Sequence, residues 1–108
     1  MKKTTLYRPV NSLELELIKN SNWKKFPTRL KEQPIFYPVL NSKYAKDISA
    51  WNKSSYGKGF ILEFDINSNY LEQFEIHNVG KSYHNEYWIP AEELENFNNQ
   101  IVGNIRFL

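Results

Sequence analysis

The chain has 108 residues, no cysteine, and a net charge of +2 from 14 basic and 12 acidic residues. That length supports one domain, residues 1–108, with a modest core and no room for a second. Without cysteine there is no disulfide staple, thiol nucleophile or cysteine-bound zinc, and the composition fits an intracellular, cytoplasmic protein.

Seven Tyr, seven Phe and three Trp supply enough large rings to build a core without disulfides. No apolar run approaches the roughly 18–20 residues that span a bilayer, so no membrane segment is expected. The opening Met-Lys-Lys-Thr-Thr has a signal-like charge but no apolar stretch after it, and no export signal is read. Charge is bipolar. Lys2, Lys3, Arg8, Lys19, Lys24, Lys25, Arg29 and Lys31 fall in the first third, and acids concentrate between Glu86 and Glu95. A basic half can meet phosphates, or can be a solvated surface.

In chain order, residues 4–8 predict a short strand stopped by Pro9. Asn11 or Ser12 caps the next helix, with Glu14 near its positive end and Leu13, Leu17 and Ile18 as its apolar stripe. Trp23 and Phe26 are expected to fold back onto the core, and residues 27–33 form a polar, basic loop. Residues 34–39, Pro-Ile-Phe-Tyr-Pro-Val, predict a second strand whose prolines suit an edge. Asn41 or Ser42 caps a second helix over residues 43–51, with Tyr44, Ala45, Ile48 and Trp51 at helical spacing. Residues 52–59, with Ser54, Ser55, Gly57 and Gly59, read as a flexible turn.

The alternation of Phe60, Leu62, Phe64 and Ile66 marks the clearest strand, expected to be buried against the two early helices. Asn67 or Ser68 starts a single helical turn, residues 74–79 form another strand, and Gly80-Lys81 a turn. On the next strand, residues 83–89, a period of two puts Tyr83, Asn85, Tyr87 and Ile89 on one face and His84, Glu86 and Trp88 on the other. Pro90 opens a short helix with Glu92 and Glu93 in its first turn, and residues 101–108 close the fold as a strand. This order predicts an α+β domain with a mainly antiparallel, split sheet and three short helices.

Most standard chemistries are absent. His77, His84 and Glu86 have no recognised metal-site spacing, so no metal is expected. No Gly-x-Ser-x-Gly marks a triad nucleophile, and Tyr56-Gly57-Lys58-Gly59 precedes a strand rather than a helix, unlike a phosphate-binding loop. No aromatic-basic pattern points to nucleic acid. What remains is Arg8 at the end of the first strand and Glu86 near the end of a late one. A carboxylate flanked by His84 and Trp88 on one face suits a cationic, aromatic ligand.

Three blocks in order carry a resemblance. The first is Leu6-Tyr7-Arg8 followed by a helix containing Leu-Glu-Leu-Ile; the second is Ile35-Phe36-Tyr37-Pro38 followed by Asn41-Ser42-Lys43-Tyr44-Ala45. The third is Gly59-Phe60-Ile61-Leu62-Glu63-Phe64 leading on to Asn85-Glu86-Tyr87-Trp88-Ile89-Pro90. Together these span most of the chain. The set resembles the ADP-ribosyltransferase superfamily, including small bacterial proteins carrying ADP-ribosylation names.

The resemblance implies an ADP-ribosyltransferase-like fold and NAD as substrate, cleaved at the nicotinamide–ribose bond. Glu86 would be the catalytic glutamate that stabilises an oxocarbenium-like transition state. Arg8 would hold phosphate or ribose oxygens, and Ser42 and Trp88 would join the NAD site. Tyr37 or Tyr44 would stack on nicotinamide, with Tyr37 preferred because it lies on the strand. The family's Ser-Thr-Ser motif is absent, with Tyr37 and Ser42 nearby. Arginine-modifying members carry Glu or Gln where this chain has His84, which points away from arginine as the acceptor and leaves the acceptor open. On this reading Arg8 and Glu86 lie on neighbouring strands and face each other across a groove, with Tyr37 at its rim.

Two other readings make different geometric demands. An immunity protein or antitoxin would present Glu86, Glu92, Glu93 and Glu95 to a toxin on one exposed face. A nucleic-acid accessory would gather Lys24, Lys25, Arg29 and Lys31 into one patch.

Overall fold

A computed structural model of the chain describes residues 2–56 and 59–108, with side chains for all of these except residues 52–56. Lys3–Val10 (β1) is followed by Ser12–Asn20 (α1), Ile35–Phe36 (β2), Ser42–Tyr56 (α2), Phe60–Asn67 (β3) and Ser68–Leu71 (α3). Then come Ile76–Asn78 (β4), Asn85–Tyr87 (β5), Ile89–Pro90 (β6), a 3-10 turn at Ala91–Glu93, Leu94–Asn99 (α4) and Ile101–Phe107 (β7). The domain is α+β with antiparallel pairing throughout the described strands, as expected, and the described residues form four α-helices rather than three.

The sheet has two halves joined by a single stretch of chain. One half is β1-β3-β7. The other pairs residues 35–40 with residues 85–90, through Ile35↔Pro90, Phe36↔Ile89 and Val39↔Glu86, and adds β4 beside β5. The join is Tyr7↔Val39, whose amides exchange two hydrogen bonds of 2.9 Å. Beyond it no pairing among the described residues connects Arg8, Pro9 or Val10 to residues 35–38, so the halves part there.

This geometry corrects the expectation that Pro9 ends the first strand. Because Tyr7 aims its amide at Val39, Arg8 aims its own at β3 and Pro9 faces the side where pairing has stopped. A missing N–H costs nothing there, and β1 runs on to Val10. The second helix also exceeds its expected end at Trp51 and reaches Tyr56, since Ser54 and Ser55 do not break a helix as Gly or Pro would. Gly57 and Lys58, part of the expected turn, lie outside the described residues.

Caps follow the sequence. Asn11 Oδ1 accepts from the Glu14 amide at 2.8 Å, and Asn41 Oδ1 from the Tyr44 amide at 2.7 Å. The helix α1 ends in a Schellman turn, with Trp23 N donating to Ile18 O and Asn22 N to Lys19 O, and Asn22 at φ 63°. Gly103, at φ 75°, sits where the β3–β7 register shifts, a backbone turn that other residues take only at a cost.

The core lies on one face of the sheet. Leu62, Phe64 and Ile66 are fully buried there with Leu6, α1 residues Leu15 and Ile18, and the rings Phe26, Phe36 and Phe97. Each such side chain contributes roughly 1.5–3 kcal/mol by burial. The expectation that both early helices cover this strand needs correction, because of the two α1 packs here and α2 lies on the opposite face, where Tyr44 and Ala45 meet Val39, Tyr7 and Ile61.

Candidate active site

Where the halves part, a cavity of about 450 Å³ opens. Its walls include Arg8, Glu14, Arg29, Gln33, Tyr37, Val39, Ile48 and Glu86. Arg8, Tyr37 and Glu86, three residues far apart in sequence, thus line one cleft.

Antiparallel partners share a face, so Tyr7, Val39 and Glu86 point toward α2, and Arg8, one residue on from Tyr7, points to the core face. The two charged residues therefore do not sit on neighbouring strands, as residues 38–40 run between β1 and β5. Nor do they pair. Arg8 instead grips Glu14, with Nε donating to Oε2 at 2.6 Å and Nη2 to Oε1 at 2.9 Å. The reason is local: Asn11 turns the chain straight into α1 and sets Glu14 within reach of the strand end. Both residues reach the cleft because the sheet is open at that point.

Glu86 is only 7% exposed. Its Oε1 accepts from the Tyr44 hydroxyl at 2.6 Å and its Oε2 from Trp88 Nε1 at 2.8 Å. Among the described residues no Lys, Arg or His nitrogen lies within 4.0 Å of it. A carboxylate held by neutral donors keeps an uncompensated negative field in a low-dielectric place. Burial, and then the hydrogen bond to Glu86, push the Tyr44 phenol well above its ordinary range, so Tyr44 stays a donor.

A polar relay buttresses this pair. Tyr44 stacks on His84 at 4.5 Å between centroids, His84 Nε2 lies 3.2 Å from Asp47 Oδ2, and the Tyr83 hydroxyl donates to the same oxygen. Hydrogen bonds from Tyr83 and His84 hold the Asp47 carboxyl below its usual range. Outside, Trp88 stacks on His77 at 3.7 Å and meets Tyr37 edge-on at 6.5 Å.

The remaining expected site residues divide. Tyr44 and Trp88 touch Glu86 without lining the cavity, so Tyr44, buried and already stacked on His84, positions the carboxylate and offers no free ring. Tyr37, 42% exposed, has a ring at the cavity rim. Ser42 begins α2 and does not line the cavity. His77 and His84 do not join Glu86 as a metal set, and among the described residues no group of three His, Asp or Glu is arranged to hold one. Arg29, which the sequence offers only as one cation of a basic first third that meets phosphates or solvent, lines the cleft. Sequence reasoning also left out Glu14 as a site residue and Asp47 altogether.

The two competing readings lose their geometry. Glu86 is buried, so it cannot share an exposed acidic face with Glu92 and Glu95. Arg29 turns inward, away from a patch with Lys24 and Lys31. No helix among the described residues is long and apolar enough to cross a membrane. Comparisons with protein-family models, with curated proteins and with solved structures find no match for this chain.

Proposed function

We propose that the protein binds NAD in this cleft and transfers its ADP-ribose to an acceptor, as the resemblance to ADP-ribosyltransferases implies. One observation carries the reading: a buried carboxylate with no cationic partner among the described residues shares a cavity with two guanidiniums. The chemistry asks for this combination. As the C1′–N bond breaks, its electron pair leaves with neutral nicotinamide and positive charge develops on the ribose. Glu86 opposes that charge, while Tyr44 and Trp88 keep its oxygens fixed. The acceptor nucleophile then bonds to C1′ and gives up its proton to solvent or to Glu86.

Nicotinamide release from NAD tests this. The parent protein is expected to release nicotinamide, and Glu86→Gln to lower kcat by about a hundredfold or more, the scale of losing one electrostatic stabiliser. Absence of nicotinamide release from the parent at millimolar NAD, or equal kcat in the variant, overturns it.

A further inference from the structure

We propose that Arg29 is the principal anion-binding residue of the cleft and receives the diphosphate of a dinucleotide, leaving Glu86 to the ribose end. The assignment of the diphosphate to a nucleotide rests on the function proposed above; the anion site itself does not. Three observations point to it. The Arg29 Nε is buried with no hydrogen-bond partner, and Arg29 has no ion pair among the described residues. Its guanidinium lies 5.7 Å from the centre of the Phe36 ring, which Arg8 covers from 4.5 Å, so two cations crowd one ring. The one carboxylate on that wall, Glu14, is already taken by Arg8 on both oxygens.

Burial, and then the neighbouring Arg8 charge, lower the Arg29 pKa. A partly desolvated cation beside another cation is unfavourable in the empty protein. An anion with several oxygens removes that penalty, since a guanidinium offers a planar fork matched to phosphate. The N-terminal end of α1, capped by the cavity residue Asn11, adds a favourable field on the same wall. Glu86 sits on the far face of the split sheet, so an extended ligand has one orientation: phosphates on the Arg29 side, sugar toward Glu86.

Calorimetric titration with inorganic pyrophosphate, ADP-ribose and nicotinamide riboside tests this on parent and Arg29→Met. The parent is expected to bind pyrophosphate and ADP-ribose, and the variant to bind both at least about tenfold more weakly, the scale of one lost charge-assisted contact. Affinity for nicotinamide riboside, which has no phosphate, is expected to be unchanged. The empty variant is expected to melt at or above the parent's Tm, because the lost cation has no ion pair among the described residues, lies beside another cation, and leaves Met to cover the Phe36 ring. Equal pyrophosphate affinity in parent and variant, no pyrophosphate binding by the parent, or a clear fall in Tm that assigns Arg29 to the fold, each overturns the proposal. The two readings fail separately. Pyrophosphate binding lost in Arg29→Met without any NAD cleavage by the parent keeps the anion site and removes the transferase. NAD cleavage with an unchanged KM in Arg29→Met does the reverse.

Discussion

The Tyr44 hydroxyl donates to Glu86 Oε1 at 2.6 Å from the apolar layer beneath α2, across 42 residues of sequence. Tyr44 is 4% exposed and Glu86 7%, so water cannot readily replace either partner. Tyr44→Phe keeps the ring and its stack on His84 but removes the donor, leaving Trp88 alone on the carboxylate. Unfolding in urea is expected to show a loss of about 1–3 kcal/mol, the cost of an unmet buried acceptor. A loss within experimental error would mean that this bond contributes nothing to the fold.

The same burial controls behaviour in base. Burial, then Glu86, raise the Tyr44 pKa, and burial, then the Glu93 charge, push Tyr70 up to about 12. Burial also raises Tyr87. A phenol whose folded pKa exceeds its unfolded value near 10 contributes stability that is complete below about pH 10. That stability is lost as pH rises through the folded values. Stability is therefore expected to hold up to about pH 10 and fall steeply beyond it, with tyrosinate absorbance rising together with unfolding. Free titration of all seven tyrosines near 10 in the folded protein contradicts this.

How much of this was legible in the chain depends on how local each cause is. The period-two run at 60–66 gives the right faces, because alternation is a property of the strand itself: Leu62, Phe64 and Ile66 are buried. In 83–89 Glu86 shares its side with Trp88, but Tyr83, expected beside Tyr87 and Ile89, lies in the turn before β5 and packs on the α2 side with Val39 and Tyr44. Asn11 and Asn41 were readable as caps because a cap is local too. Partners were not. Arg8 was matched to a distant Glu86 when Glu14, six residues on, lay at hand. Arg29 sits in an aperiodic loop, where nothing in the sequence says whether a cation faces water or a cleft.

The turn before β5 contains a second control on Glu86. A Cβ added at Gly80 would lie 2.5 Å from His84 Nδ1, which also accepts from the Lys81 amide at 3.2 Å. His84 is 5% exposed and backs the Tyr44 ring, so it has little room to retreat. Gly80→Ala is expected to cost about 1–3 kcal/mol through overpacking and to lower nicotinamide release along with stability. An alanine variant as stable and active as the parent would show that the ring moves freely.

Glu14 provides the sharpest separation of fold from site. It neutralises Arg8 at 2.6 Å, with side-chain exposures of 12% and 16%, and lies near enough to Arg29 to raise that group's pKa against the effects of burial and Arg8. Glu14→Gln leaves two guanidiniums against Phe36 with no counter-charge. Stability is expected to fall by roughly 1–3 kcal/mol, less than for a fully buried pair because both groups keep some solvent. Anion affinity is expected to move the other way, since the wall changes from one net positive charge to two. Pyrophosphate should bind about tenfold or more tightly to Glu14→Gln, and added pyrophosphate should recover much of the lost Tm by mass action. In Arg8→Gln, by contrast, stability and anion affinity should fall together. If Glu14→Gln loses stability and pyrophosphate affinity alike, Glu14 shapes the anion site instead of opposing it, and the balance of charge drawn for this wall is wrong.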